Sequence, residues 1–153
     1  MQKQKANQYN DEQNNRENKI WGDFVIEKMN LLLDKEKDRD GLLFYETAEE
    51  IGKMLVGKIT MTQIRKVFSE IQKKSKIKNK INPKQEVKRI EMIMAYTVGR
   101  FRSDKNKNDW QSFFKVVKKA GDMVIQNKWT FDDYKNFFEA IIAYYRYHGG
   151  REQ

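Results

Sequence analysis

From Trp21 to Tyr145 the apolar residues of this chain recur at intervals of three and four, and no stretch sustains the period-two alternation that a half-buried strand needs. That rhythm restricts the fold to helices that each bury one stripe, so the chain reads as all-α. At 153 residues it has the size of one domain. Residues 1–18, MQKQKANQYNDEQNNREN, hold almost nothing to bury and read as a disordered tail. Residues 19–153 remain for a single compact bundle of about six helices.

Local signals punctuate the rhythm. Trp21, Phe24, Val25, Met29, Leu32 and Leu33 form the first stripe, which Asp34 to Gly41 ends. Thr47-Ala-Glu-Glu50 has the form of a capping box, which predicts a second helix opening at Thr47 with Ala48, Ile51 and Leu55 inward and Gly57 as its stop. Thr60-Met-Thr-Gln63 repeats the box for a third helix with Ile64, Val67, Phe68 and Ile71 on its buried side. Asn82 and Pro83, the one proline, start a fourth helix carrying Val87, Ile90, Met94, Val98 and Phe101. Trp110, Phe113, Phe114, Val117 and Val124 give a fifth. Thr130-Phe-Asp-Asp133 caps a sixth that holds Phe131, Tyr134, Phe138, Ile141 and Tyr145 and stops at His148-Gly149-Gly150.

Catalytic chemistry finds few of its usual residues here. With no cysteine there is no disulfide, thiolate nucleophile or thiolate metal site, which suits a reducing compartment. The single His148 supplies neither a zinc triad nor paired acid and base, and no phosphate-binding glycine loop is present. Glu36-Lys-Asp38-Arg-Asp40-Gly41 imitates the opening of a calcium loop, yet position one is Glu and position twelve is Thr47 where a bidentate Glu belongs. It reads as a solvated helix end and turn. Asp132 and Asp133 read as first-turn carboxylates facing a helix dipole. The expectation is a protein that is not an enzyme and holds no cofactor or metal. No uncharged apolar run approaches the roughly 18 residues of a spanning helix, and the amino end lacks a signal-peptide core, so a cytoplasmic location is expected.

Charge points to a partner. The net is +9, and it is unevenly distributed: residues 1–52 hold 8 basic and 12 acidic groups, residues 53–107 hold 16 and 4, and residues 108–153 hold 7 and 6. The whole excess therefore lies in the middle third, as expected if one face meets phosphate; the other reading is a solvated lysine-rich surface, with the run Lys73, Lys74, Lys76, Lys78 and Lys80 as a mobile loop. On the fourth helix Arg89, Ile93, Tyr96 and Arg100 form a stripe apart from the core set, able either to hold phosphates and support a base or to pack on another helix. Thr47–Val56 and Met61–Ser69 also have the arrangement of a helix-turn-helix, in which Thr62, Gln63, Arg65 and Lys66 would read a major groove. A DNA-binding regulator is thus the alternative.

Four ordered blocks bring in a family. Tyr45-Glu-Thr-Ala-Glu49-Glu-Ile-Gly-Lys53, Thr62-Gln63-Ile-Arg65-Lys66-Val-Phe68, Ala95-Tyr96-x-x-Gly99-Arg100, and Phe137-Phe138-Glu139-Ala140-Ile-x-Ala143-Tyr144 with Gly149-Gly150 resemble the small helical subunit of type III-A CRISPR effector complexes, the Csm small-subunit family, over about residues 45–150. The resemblance implies a non-catalytic subunit in antiviral defence. In that role several copies line up along guide RNA and target RNA, beside the backbone and large subunits, while nuclease and cyclase chemistry belongs to other chains. It makes Lys53, Lys58, Arg65, Lys66, Arg100 and Arg102 the expected RNA-backbone contacts, with Arg89 as a further candidate, and Phe137, Phe138, Glu139 and Tyr144 fold or subunit contacts.

Overall fold

The helix boundaries follow from how each chain segment satisfies its first backbone N–H groups. The computed structural model describes residues 20–75, 82–100 and 105–151, and among these there are six helices and no strand: α1 Trp21–Met29, α2 Leu42–Leu55, α3 Met61–Ser75, α4 Pro83–Arg100, α5 Lys107–Ile125 and α6 Phe131–Tyr147. The tail at 1–18, Lys76, Lys78, Lys80, Phe101 and Arg102 lie outside the described residues. Three starts are the expected ones. Thr60 and Gln63 exchange side-chain bonds at α3 (2.9 and 3.3 Å), Thr130 and Asp133 do so at α6 (2.9 and 3.1 Å), and Asn82 accepts from the Gln85 amide ahead of Pro83 (3.3 Å).

The second start corrects the sequence reading. α2 opens at Leu42, five residues before Thr47, whose hydroxyl is buried inside the helix without a hydrogen-bond partner. Asp38 is the reason. Its carboxylate is 5% exposed and accepts from the amides of Leu43 (2.9 Å), Phe44 (3.0 Å) and Leu33 (2.7 Å), so it caps α2 from the preceding turn. Within the acidic turn Asp38 is therefore a buried cap, while Glu36, Lys37, Arg39 and Asp40 around it are exposed as expected of a solvated turn. α1 is also shorter than its stripe, ending at Met29, and Phe24 points outward because Val25 and Met29 face the core.

Packing closes the six helices into a ring: α1 on α2, α2 on α6, α6 on α3, α3 on α4, α4 on α5 and α5 back on α1, with α5 also meeting α6. The α2–α6 contact is the most extensive, and Gly52 permits it. A side chain at that position would come within 2.8 Å of the Ile141 carbonyl and the Tyr145 amide. Inside the ring, Phe44 lies 5.1 Å from Phe137 and 5.5 Å from Trp129, while Phe138 meets Tyr134 at 4.9 Å. Burial of this aromatic set together with the aliphatic core around it, such as Ile51, Leu55, Ile90 and Val117, supplies the main driving force for the fold.

Candidate nucleic-acid interface

The turn after α2 and the segment after α6 are stitched together, and cations gather where they meet. Gly149 takes a φ of 103°, letting the chain fold back so that Gly150 lies over the Tyr145 ring. The Tyr145 hydroxyl sits 2.5 Å from the Ile59 carbonyl and 3.2 Å from the Arg151 carbonyl, which also accepts from the Met61 amide (3.1 Å). A cleft of about 530 Å³ opens beside this knot. Lys58, Lys105 and Arg151 line it together with Thr60, Gln63 and Asn106, and among the described residues no carboxylate does.

A second groove, of about 360 Å³, runs between α3 and α6. Arg65 and Arg146 line it with Ser69 and Gln72 over a floor of Met61, Phe68 and Ile142. The two hollows share one seam, since Thr60 and Gln63 border the first and Met61 the second in the opening turn of α3, and Tyr145 and Arg146 divide the same way on α6. Five cations therefore stand along one α3–α6 seam, a concentration of positive charge in concave surface that attracts a polyanion.

Of the expected contacts, Lys58 and Arg65 lie in this seam, and Lys66 is exposed one position beyond Arg65. Arg100 is exposed at the end of α4, and Arg102 lies outside the described residues. Lys53 stands elsewhere, exposed on α2 at 3.9 Å from Glu49, which also meets His148 Nε2 at 3.1 Å. Arg89 has a different occupation. Its Nε lies 3.1 Å from Glu86 and its Nη2 3.0 Å from Glu70, so this half-buried guanidinium ties α3 to α4. The bond from Arg89 holds the Glu70 carboxyl below its ordinary range.

Lys105, Arg146 and Arg151 join the seam without a signal of their own in the sequence. Only the fold-back of the last residues carries Arg151 to the start of α3, and the one hint is the Gly149-Gly150 pair that permits it. In the α4 stripe, Tyr96 is 71% exposed and Ile93 half-buried. Phe137 and Phe138 are buried core residues, and Glu139 and Tyr144 are half-exposed.

The helix-turn-helix arrangement gains no support from the packing, because α2 packs on α6 and α1 while α3 packs on α6 and α4. Among the described residues no three His, Asp or Glu side chains are grouped to hold a metal ion, and no helix is long and apolar enough to cross a membrane. Compared with known proteins, the chain matches the family model described as Csm2 Type III-A over residues 38–151. No curated protein and no solved structure matches it.

Proposed function

The chain belongs to the Csm2 Type III-A family and is thus a small subunit of the type III-A Csm complex, and from that premise we propose that it is a non-catalytic binder of RNA backbone within the complex. The α3–α6 seam follows phosphates of guide RNA and target RNA through Lys58, Arg65, Lys105, Arg146 and Arg151, with Lys66, Arg100 and Arg102 as further phosphate contacts. One observation carries this reading: two adjoining hollows lined by five cations in a member of this family. Guanidinium and ammonium groups bind phosphate regardless of base, so sequence is supplied by guide–target pairing and the subunit adds affinity along the length. Further copies of the subunit stand beside it, with the backbone and large subunits as its other neighbours, in antiviral defence in the cytoplasm. A sequence with no cysteine and one histidine supports leaving the chemistry to other chains.

The experiment is a salt titration of RNA affinity for the wild type and for Lys58→Ala/Arg65→Ala/Arg151→Ala. Binding should weaken to the same extent for unrelated sequences, and the slope of log affinity against log salt should flatten by about 0.7 for each phosphate that is no longer neutralised. Preference for one duplex DNA sequence, or an unchanged slope, would overturn the proposal.

A further inference from the structure

We propose that the outward face of α4 stacks an unpaired nucleotide base on Tyr96, with Arg100 holding the adjoining phosphate, so that single-stranded RNA gains a contact that duplex RNA does not. The inference rests on the reading that the chain binds RNA, and it adds a base-contacting site on another helix to the phosphate contacts of the α3–α6 seam.

α4 turns Val87, Ile90, Met94 and Thr97 to the core. Lys88, Met92, Tyr96 and Arg100 follow one another at every fourth position on its opposite side. All four are exposed, Met92 to 64% and Tyr96 to 71%. A lone exposed apolar residue is ordinary, whereas here two large ones adjoin with a cation at either end. The cation before them is not the one that the sequence spacing suggests. Arg89 is tied to Glu70 and Glu86, and Lys88 takes its place, 3.2 Å from the Glu91 carboxylate.

Two features leave the Tyr96 ring available to a polyanion. The carboxylates of α4 are turned away from it, Glu86 bonded to Arg89 and Glu91 buried. Gly99, three positions after Tyr96 and therefore its neighbour on the helix surface, has open space where a side chain would lie, so nothing at that position covers the ring. Tyr45 makes the contrast. It is also exposed, but exposed Glu46 and Asp40 stand beside it and repel phosphate.

An aromatic ring accepts the face of any base, so the contact reads no sequence. It does read pairing. Inside a duplex both faces of each base are covered by its neighbours, and only an unpaired base can swing onto a side chain. Tyr96 and Arg100 are one turn apart, a rise of about 6 Å, so a base lying on the ring leaves its own phosphate within reach of the Arg100 guanidinium. Met92, on the other side of the ring, offers an adaptable apolar edge to the same base. Lys88 gives a weaker second phosphate contact, because it shares its charge with Glu91. A protein neighbour would also cover an exposed ring, but the flanking cations favour a polyanion.

The test measures the affinity of the full chain for one unstructured RNA strand and for the same strand annealed to its complement. Tyr96→Ala should weaken binding of the single strand by about tenfold and leave the duplex nearly unaffected. Its slope of log affinity against log salt should match the wild type, since no phosphate contact is lost. Tyr96→Phe should bind as the wild type does, and Tyr96→Leu as the alanine variant does, which separates ring stacking from apolar cover. Arg100→Ala should weaken both RNAs and flatten the single-strand slope by about 0.7. Far-UV circular dichroism should show every variant folded, because the side chains are exposed. Equal losses for strand and duplex in Tyr96→Ala, or full affinity in Tyr96→Leu, would overturn the proposal and leave the seam reading standing. Unchanged RNA affinity in Tyr96→Ala with poorer incorporation into the Csm complex would assign the face to a protein neighbour and overturn it as well. A wild type that binds neither RNA would overturn the seam reading and this proposal with it.

Discussion

Replacing Asp38 with alanine removes the group that opens α2, and the consequence can be worked out from what its carboxylate holds. It accepts three backbone amides: Leu43 at 2.9 Å, Phe44 at 3.0 Å and Leu33 at 2.7 Å. A bond to a charged acceptor contributes about 1.5–3 kcal/mol, so a simple sum would run from roughly 5 to 9 kcal/mol. The sum overstates the loss. Only the Phe44 bond is fully buried, and water entering the space vacated by the side chain reaches the other two donors. A loss of about 3–5 kcal/mol is therefore expected, part of it the removal of an anion from a helix N-terminus. For a chain of this length that lowers Tm by about 10–20 °C. Asp38→Asn should fall nearer to alanine than to the wild type, because an amide has one acceptor oxygen and its NH2 group must face at least one of the three donors. Thermal unfolding followed by far-UV circular dichroism, with urea unfolding as a second measure, checks both variants. If Asp38→Ala melted within about 2 °C of the wild type, the carboxylate would not be what sets the start of α2.

Gly52→Ala should destabilise by about 1–3 kcal/mol in urea unfolding, since the new methyl group meets the α6 backbone at 2.8 Å and the helices must separate. Tyr145→Phe should lose about 1–2 kcal/mol by unbinding the Ile59 and Arg151 carbonyls, and amide hydrogen exchange at Met61 should accelerate as the closing segment loosens. Acid titration of stability reports on the α3–α4 clamp. Because Arg89 depresses the Glu70 carboxyl below its ordinary 4.5, the contribution is present above that pH and is lost as pH falls through the lowered value. Glu70→Gln should therefore flatten the stability profile below about pH 4.5, by an amount near 1 kcal/mol for a partly exposed pair. Added to Arg89→Ala, the same change should leave melting at neutral pH nearly where Arg89→Ala alone puts it.

Helix content and three of the six helix starts are legible in the sequence because they are written within four residues. Thr60 with Gln63, Thr130 with Asp133, and Asn82 before Pro83 each satisfy their own first turn, so the spacing alone identifies them. The start of α2 is not legible in this way. Thr47-Ala-Glu-Glu50 has the same spacing, but Asp38 reaches forward five and six residues to the Leu43 and Phe44 amides and opens the helix earlier, leaving Thr47 in its interior. Which of two competing caps is used depends on the path of the turn between them, and that path is fixed by packing: Leu32 is buried and its carbonyl accepts from Trp129 Nε1 at 3.1 Å, almost a hundred residues away.

The candidate site divides along the same line. A basic residue in a basic stretch is visible in sequence, which is why Lys58 and Arg65 stand out there, but its surroundings are not. Arg89 reads as one more basic side chain until Glu70 and Glu86 are seen on either side of it, one of them on another helix. Arg151, in the nearly neutral last third, looks ordinary until the Gly149 turn delivers it to the mouth of α3. What makes separate cations into a phosphate track is their convergence on one concave seam, and convergence is a property of the assembled surface. Charge counting finds the region; the paths of the turn after α2 and of the segment after α6 decide which of its cations come together to meet a polyanion.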